Sequence, residues 1–313
     1  MNNNSLAIVI PAFKATFLGE TLESISNQTR KDFMVYIGDD ASPSDLQPII
    51  EPYQQKINLI YKRFPENLGG TDLVAQWERC IDLVHDESWI WLFSDDDLMA
   101  PTCVETFYNT INAGSTYDVY HFNADMIDTD SKLLTRANDY PEVLSSGQFI
   151  QYKLKGNISS YVVEYIFNKK LFFSGGRFIN FDLAWNSDDA TWMKLAQKRG
   201  IKTIGGPRIG WRSGTENISR IQTHLPTVKR KLQADIRFTQ WLQTNRINFK
   251  IKKRLYFSSM LTLWFLVRLH VHQAILGKHE AKRLLKEYAG TLKPKIIILP
   301  ALLYFYAYKK YRL

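Results

Sequence analysis

Short apolar runs alternate with amphipathic stretches along the first 124 residues of the chain. Leu6-Ala7-Ile8-Val9-Ile10 is unbroken and ends at Pro11, which predicts a strand buried on both faces. Over 17–28 the residues Phe17, Leu18, Leu22 and Ile25 recur at helical spacing. A second buried strand is predicted over 33–38, closed by the turn-forming run Asp39-Asp40-Ala41-Ser42-Pro43. A helix over 46–54, a strand over 57–61, a turn at 67–71 and a helix over 72–84 follow. Trp89-Ile90-Trp91-Leu92-Phe93 reads as a fourth strand, stopped by Ser94-Asp95-Asp96-Asp97. Pro101 opens a helix through 113, and 119–124 is a further strand.

Strands alternating with helices predict an α/β fold, Rossmann-like, with a mostly parallel sheet and helices on both faces. Such sheets bind ligands beyond the carboxyl ends of their strands. The polar clusters fall at those ends: Pro11-Ala12-Phe13, Asp39-Asp40 and Ser94-Asp95-Asp96-Asp97. Residues 129–157 read as loop-rich, and 161–168 as strand or short helix. A helix over 188–199 carries Trp192, Leu195 and Ala196 on one side, and a short strand at 201–204 precedes Gly205-Gly206-Pro207. From 225 onward the pattern is helical and basic, which divides the chain into a body, 1–224, and a C-terminal region, 225–313.

Charge sharpens that division. The chain of 313 residues carries 40 Lys and Arg against 31 Asp and Glu, a net +9. From Lys229 onward the net charge is +16, so the preceding body is at −7. A basic region of that size calls for an anionic partner, nucleic acid or membrane. Lys250, Lys252, Lys253 and Arg254 precede an apolar stretch over 255–267. Lys293 and Lys295 precede another over 296–308, and Lys309, Lys310 and Arg312 follow it. Apolar helices flanked by basic residues suit a membrane interface, while neither run reaches the ~18 residues of a span. A helical subdomain packed on the body, or a contact in a homo-oligomer, is the competing expectation. A nucleic-acid-binding module could use Lys252-Lys253-Arg254-Leu255-Tyr256-Phe257, but no helix-turn-helix or RNA-binding signature accompanies it. Two cysteines, Cys80 and Cys103, exclude a disulfide framework. The six histidines show no metal-ligand spacing. The first residues lack the basic, apolar pattern of a secretory leader, so the expected location is cytoplasmic, peripheral on the inner face of the cell membrane.

Three adjacent carboxylates, Asp95, Asp96 and Asp97, repel one another unless water or a cation sits among them. Carboxylate oxygens suit Mg2+ or Mn2+, with nucleotide phosphates completing the shell. The competing reading is a solvated loop in which Asp97 caps the helix behind Pro101. Asp39-Asp40 gains weight from lying on the same sheet edge, and Asn67-Leu68-Gly69-Gly70 would let a ligand approach backbone closely. A sugar nucleotidylyltransferase shares a similar sheet but needs a Gly-rich, basic loop after its first strand, and Pro11-Ala12-Phe13 is not one.

Taken together these segments resemble the family 2 glycosyltransferases, inverting enzymes of the GT-A fold. Ile8-Val9-Ile10-Pro11-Ala12-Phe13-Lys14-Ala15 is similar to the family's first strand and nucleotide loop. Ile25-Ser26-Asn27-Gln28-Thr29 with Phe33, Gly38-Asp39-Asp40-Ala41-Ser42 with Asp45, and Asn67-Leu68-Gly69 match its next three motifs. Ser94-Asp95-Asp96-Asp97 with Pro101 resembles the metal-binding turn, and Ser187-Asp188 with Trp192 and Leu195 the segment carrying the catalytic base. The chain departs from the pattern at Lys14, usually Asn; at Ser94, usually Asp; at Ser187, usually Glu; and in lacking a His after Trp211-Arg212. The resemblance implies that Pro11, Ala12 and Phe13 line the nucleoside pocket, that Asp40 bonds the base and favours uridine, and that Asp95 faces the ribose. Asn67 and Gly69 would shape the donor site, and Asp96 would hold Mg2+ or Mn2+. Asp188 would be the catalytic base, with Asp189 as the alternative. Trp185, Trp192 and Arg212 are weaker candidates for the acceptor. The implied partners are a nucleotide-sugar donor and a glycan acceptor; an enzyme held at the membrane surface would meet a lipid-linked acceptor, with bacterial surface polysaccharide synthesis as the expected setting.

Overall fold

The computed structural model describes residues 5–214 and 217–291. In chain order its elements are β1 (Leu6–Ala12), α1 (Leu18–Ser26), β2 (Phe33–Asp39), α2 (Gln47–Ile50), β3 (Leu59–Arg63), α3 (Leu73–Ile81), β4 (Trp89–Leu92), β5 (Leu98–Met99) and α4 (Cys103–Asn112). Then come β6 (Val119–Ile127), β7 (Leu133–Arg136), β8 (Val143–Leu144), α5 (Ser146–Leu154), β9 (Tyr165–Asn168), α6 (Lys169–Ser174), α7 (Ser187–Leu195) and β10 (Ile201–Arg212). Three helices follow: α8 (Leu225–Asn245), α9 (Arg254–Val271) and α10 (Gln273–Thr291).

Among the described residues the ten strands form one sheet in the order β3-β2-β1-β4-β9-β6-β10-β5, with β7 on β6 and β8 on β10. The first four in that order are mutually parallel, and β10 is parallel to β6. Between the two parallel blocks β9 runs antiparallel to both β4 and β6. Successive residues of β1 enter different cores. Ala7 and Val9 pack with α3, α5, α7, α8 and α9 on one face, while Leu6, Ile8 and Ile10 pack with α1 and α4 on the other. Burial on both faces is why these strands carry unbroken apolar runs.

The parallel β-α succession of the body is present as expected, and three features differ. β10 does not stop before Gly205-Gly206-Pro207; it continues to Arg212 through a register shift between Ile204 and Ile209. The stretch 129–157 contains β7, β8 and α5, whose start is fixed by a capping box between Ser145 and Gln148. Asp97 caps no helix: α4 begins at Cys103 behind Thr102, which makes no side-chain cap.

The C-terminal helices are not a detached tail. Ala234, Phe238 and Leu242 of α8 and Phe257 and Leu261 of α9 lie in the same core as Val9 and Trp192. A smaller core, including Val228, Leu232, Phe265 and Tyr288, joins α8, α9 and α10 to one another. Among the described residues no helix is long and apolar enough to cross a membrane. The basic and apolar run over 293–312 lies outside the described residues.

Candidate active site

β1, β2 and β4 are parallel neighbours, so their carboxyl ends emerge side by side. Backbone bonds hold the emerging loops: Asp40 N–H donates to Ala12 C=O at 2.8 Å, and Phe93 N–H to Val9 C=O at 2.8 Å. Pro11 is half-buried within β1, Ala12 is buried, and Phe13 projects into solvent with 37% of its surface exposed.

The three carboxylates after β4 have three different fates. Asp95 Oδ2 accepts the backbone N–H groups of Phe13 and Lys14, both at 2.8 Å, so it ties the β4 loop to the β1 loop. Burial raises its carboxyl to about 6, and the Asp96 charge pushes the same way. Asp97 Oδ1 accepts the backbone N–H of Arg212 at 2.6 Å; burial and the Asp96 charge hold its carboxyl well above the usual range. Asp96 alone is held by side chains that can move: the Lys14 ammonium lies 2.7 Å from Oδ2, and the Ser94 hydroxyl donates to Oδ1.

Arg212 is the brace behind this turn. It is fully buried, and its guanidinium fork donates to the carbonyls of Asp96 (2.7 Å), Asp128 (3.0 Å) and Thr129 (3.2 Å), to Glu20 (2.9 Å) and to Ser131 (3.0 Å). The Phe17 ring covers it at 4.1 Å. With every donor engaged, Arg212 has none left for an acceptor sugar, which corrects the expectation for it.

Asp39 and Asp40 are likewise committed. Asp39 accepts Ser42 N–H (2.7 Å), Tyr61 O–H (2.6 Å) and Arg63 (2.8 Å). Asp40 accepts the N–H groups of Leu68 (2.7 Å) and Gly69 (2.9 Å) and pairs with Arg79. A Cβ on Gly69 would sit 2.6 Å from Asp40 Oδ2, so the close approach requires glycine. Asn67 is exposed and its side chain accepts Gly70 N–H at 2.7 Å. Asp40 therefore holds the 67–70 loop against the end of β2.

The same loop leads to the second carboxylate pair. Asp72, the N-cap of α3, accepts Asn180 Nδ2 at 3.1 and 3.0 Å, and Asn180 begins the turn that enters α7. Asp188 and Asp189 occupy the first turn of α7. Asp189 is buried and paired with Lys153. Asp188 is half-buried, and no side-chain hydrogen bond or ion pair engages it among the described residues. Desolvation, then the Asp189 charge, raise the Asp188 carboxyl to about 7. The Trp192 indole is wholly buried and stacked on Tyr165 at 4.9 Å, so it offers no face to a sugar. Trp185 is half-buried, with Lys231 and Arg268 against its ring.

The Glycosyl transferase family 2 profile matches residues 7–193. The chain belongs to that family. It is a glycosyltransferase with the GT-A fold. No curated protein sequence matches the chain. Among solved structures it is similar to S. aureus TarS, at 15% identity and a TM-score of 0.56, with 94% of this chain covering 54% of that one. TarS 1-349 in complex with UDP-GlcNAc matches at 14% identity and 0.56, over 92% of this chain and 90% of that one. The mannosyltransferase PcManGT from Pyrobaculum calidifontis, in complex with GDP-Man and Mn2+, matches at 15% and 0.54, over 96% and 86%. GalNAc-T7 with UDP, GalNAc and Mn2+ matches at 11% and 0.54, over 78% and 52%.

The donor set of this chain bears on a divalent cation. Among the described residues no group of three His, Cys, Asp or Glu could hold a metal. Asp95 and Asp97 are spent on backbone amides, so the protein would offer the one carboxylate of Asp96, after exchange of Lys14. One carboxylate plus substrate phosphates is a sufficient set for Mg2+ or Mn2+.

Several working residues were not legible beforehand. Arg79 and Lys153 neutralise Asp40 and Asp189 from distant helices. Tyr161 stacks on Trp211 at 4.1 Å, and burial raises its hydroxyl above the usual range. Replacing Arg212 tests the brace: Arg212→Met should cost roughly 3–5 kcal/mol of stability in urea unfolding, because buried acceptors lose their partner. Arg212→Lys should recover less than half, since an ammonium lacks the fork. A loss below about 1 kcal/mol for Arg212→Met would contradict the assignment.

Proposed function

We propose that the enzyme transfers a sugar from a nucleoside-diphosphate sugar, with uridine the favoured base, to a hydroxyl of a lipid-linked glycan in bacterial surface polysaccharide synthesis. The anomeric centre inverts. The observation that carries this reading is the Asp188 carboxylate, half-buried, unpaired by any side chain among the described residues and raised to about 7 at the head of α7. An acceptor hydroxyl is a poor nucleophile, and a carboxylate that ionises near neutral pH is a stronger base than an ordinary one. As the hydroxyl oxygen attacks the anomeric carbon, Asp188 takes its proton and the bond to the diphosphate breaks on the opposite face. Asp189, buried against Lys153, raises the basicity of its neighbour.

Asp95 holds the Phe13-Lys14 loop against β4, where the ribose and diphosphate would lie. Mg2+ or Mn2+ on Asp96 would, when bound, offset the charge that gathers on the leaving diphosphate. UDP in the TarS and GalNAc-T7 complexes supports a uridine donor, with the GDP-Man of PcManGT as the competing case.

Membrane docking is supported at the α8–α9 corner. Phe249 and Ile251 are buried in the body's core, which fixes the corner's orientation. Lys250, Lys252 and Lys253 are left exposed around it, beside Ile247 (71% exposed), Leu255 (62%) and Tyr256 (49%). Apolar side chains ringed by lysines suit the surface of an anionic inner leaflet.

Three outcomes are expected. Slow hydrolysis of a UDP-sugar, in which water replaces the acceptor, should fall about tenfold per pH unit below about pH 7 and level off above it, as Asp188 loses its base form on protonation. Asp188→Asn should lower turnover by about 10²–10⁴-fold with UDP affinity retained; a flat profile and near-normal turnover would remove Asp188 from the role. Reversing Lys250, Lys252 and Lys253 to Glu should weaken binding to phosphatidylserine vesicles by on the order of 100-fold, with salt weakening the wild type. Equal binding of both proteins would refute docking by this corner.

A further inference from the structure

The segment that delivers Asp188 is strained. Leu183 (φ 60°), Ala184 (φ 53°) and Asn186 (φ 63°) are left-handed non-glycine residues within four consecutive positions. Left-handed backbone is disfavoured for residues with a Cβ, and such a conformation persists only where surrounding structure over-determines it. Asn186 stands at the N-cap position of α7, yet its side chain makes no capping bond there.

What holds the turn comes from the C-terminal helices. Asp235 of α8 is fully buried. Its Oδ1 accepts Trp185 Nε1–H at 2.9 Å and Asn186 Nδ2–H at 3.1 Å, and its Oδ2 accepts Arg268 Nε–H of α9 at 2.6 Å. Lys231 Nζ lies 4.5 Å and the Arg268 guanidinium 5.1 Å from the centre of the Trp185 ring. Arg230 of α8 grips the other end of the turn, donating to both oxygens of Asp182 at 2.9 and 2.6 Å. Within the turn, Phe181 N–H donates to Ser187 Oγ at 2.9 Å. A buried carboxylate that accepts from two neutral donors and one guanidinium fixes all three in direction as well as distance.

We propose that Asp235 and Arg268 are positioning residues for sugar transfer: their ion pair clamps the left-handed turn and so aims Asp188 at the acceptor. The clamp lies beyond residue 193, where the family match ends, so the C-terminal helices complete the active site of this chain. The proposal rests on Asp188 as the base, and the test separates the two.

The full-length protein is assayed by slow UDP-sugar hydrolysis, by UDP calorimetry and by circular dichroism. Asp235→Asn keeps an acceptor for Trp185 and Asn186 but loses the charge that holds Arg268. It should lower kcat by about tenfold or more, with donor KM and UDP affinity within about twofold of wild type. Trp185→Phe keeps an aromatic ring beside the two cations and loses the N–H, so a smaller fall in kcat is expected, again at constant KM. Arg268→Lys should retain more kcat than Arg268→Met. Wild-type kcat in folded Asp235→Asn and Trp185→Phe overturns the clamp, as does a parallel loss of kcat and UDP affinity. If Asp235→Asn does not fold, Trp185→Phe decides alone. Near-normal turnover in Asp188→Asn is instead a failure of the base assignment, and the clamp falls with it.

Discussion

Three carboxylates stand in succession at the end of one buried strand, and the site is organised around keeping them apart in kind. Charges so close cannot all remain ionised in a low-dielectric setting without separate compensation. Asp95 is met by two backbone amides of the β1 loop, Asp97 by the Arg212 amide, and Asp96 by the Lys14 ammonium and the Ser94 hydroxyl. The two amide-bound carboxylates fasten neighbouring loops together. The third keeps partners that a cation can replace, so a structural solution to repulsion leaves one carboxylate available for chemistry.

The same economy recurs at α7. Asp189 is buried against Lys153, and its charge, after desolvation, lifts Asp188 into the range where a carboxyl exchanges protons near neutral pH. In the proposed mechanism the two could not exchange places: a lysine-paired, buried carboxylate cannot reach an acceptor hydroxyl. The helical region first readable only as basic and apolar therefore has a second part to play. Through Asp235 it holds the turn that presents Asp188, while its exposed corner carries the lysines suited to a membrane surface.

Most of the parallel sheet could be read from the chain, because strands covered on both faces leave unbroken apolar runs and their polar stops mark the ligand edge. The direction of β9 could not, since Tyr165-Ile166-Phe167 would pack equally well in either sense and only its partners β4 and β6 decide it. β10 was cut short because Gly205-Gly206-Pro207 looks like a stop, whereas a register shift absorbs it. At the site, the acidic residues were visible and their cations were not. Arg79, Lys153 and Arg268 lie far from their carboxylates in sequence, and no local pattern pairs them. Trp192 and Arg212 misled for the opposite reason: residue types suited to binding sugars and phosphates were used for packing and for bracing.

The central claim is that Asp96 is the exchangeable carboxylate of a nucleotide site built on three strand ends. Calorimetric titration of UDP into wild-type protein and Asp96→Ala, each with and without Mn2+, tests it most directly. The account predicts that Mn2+ tightens UDP binding to the wild type and has no such effect on the variant. Binding that Mn2+ tightens equally in both proteins, or that is absent from the wild type under every condition, would contradict it.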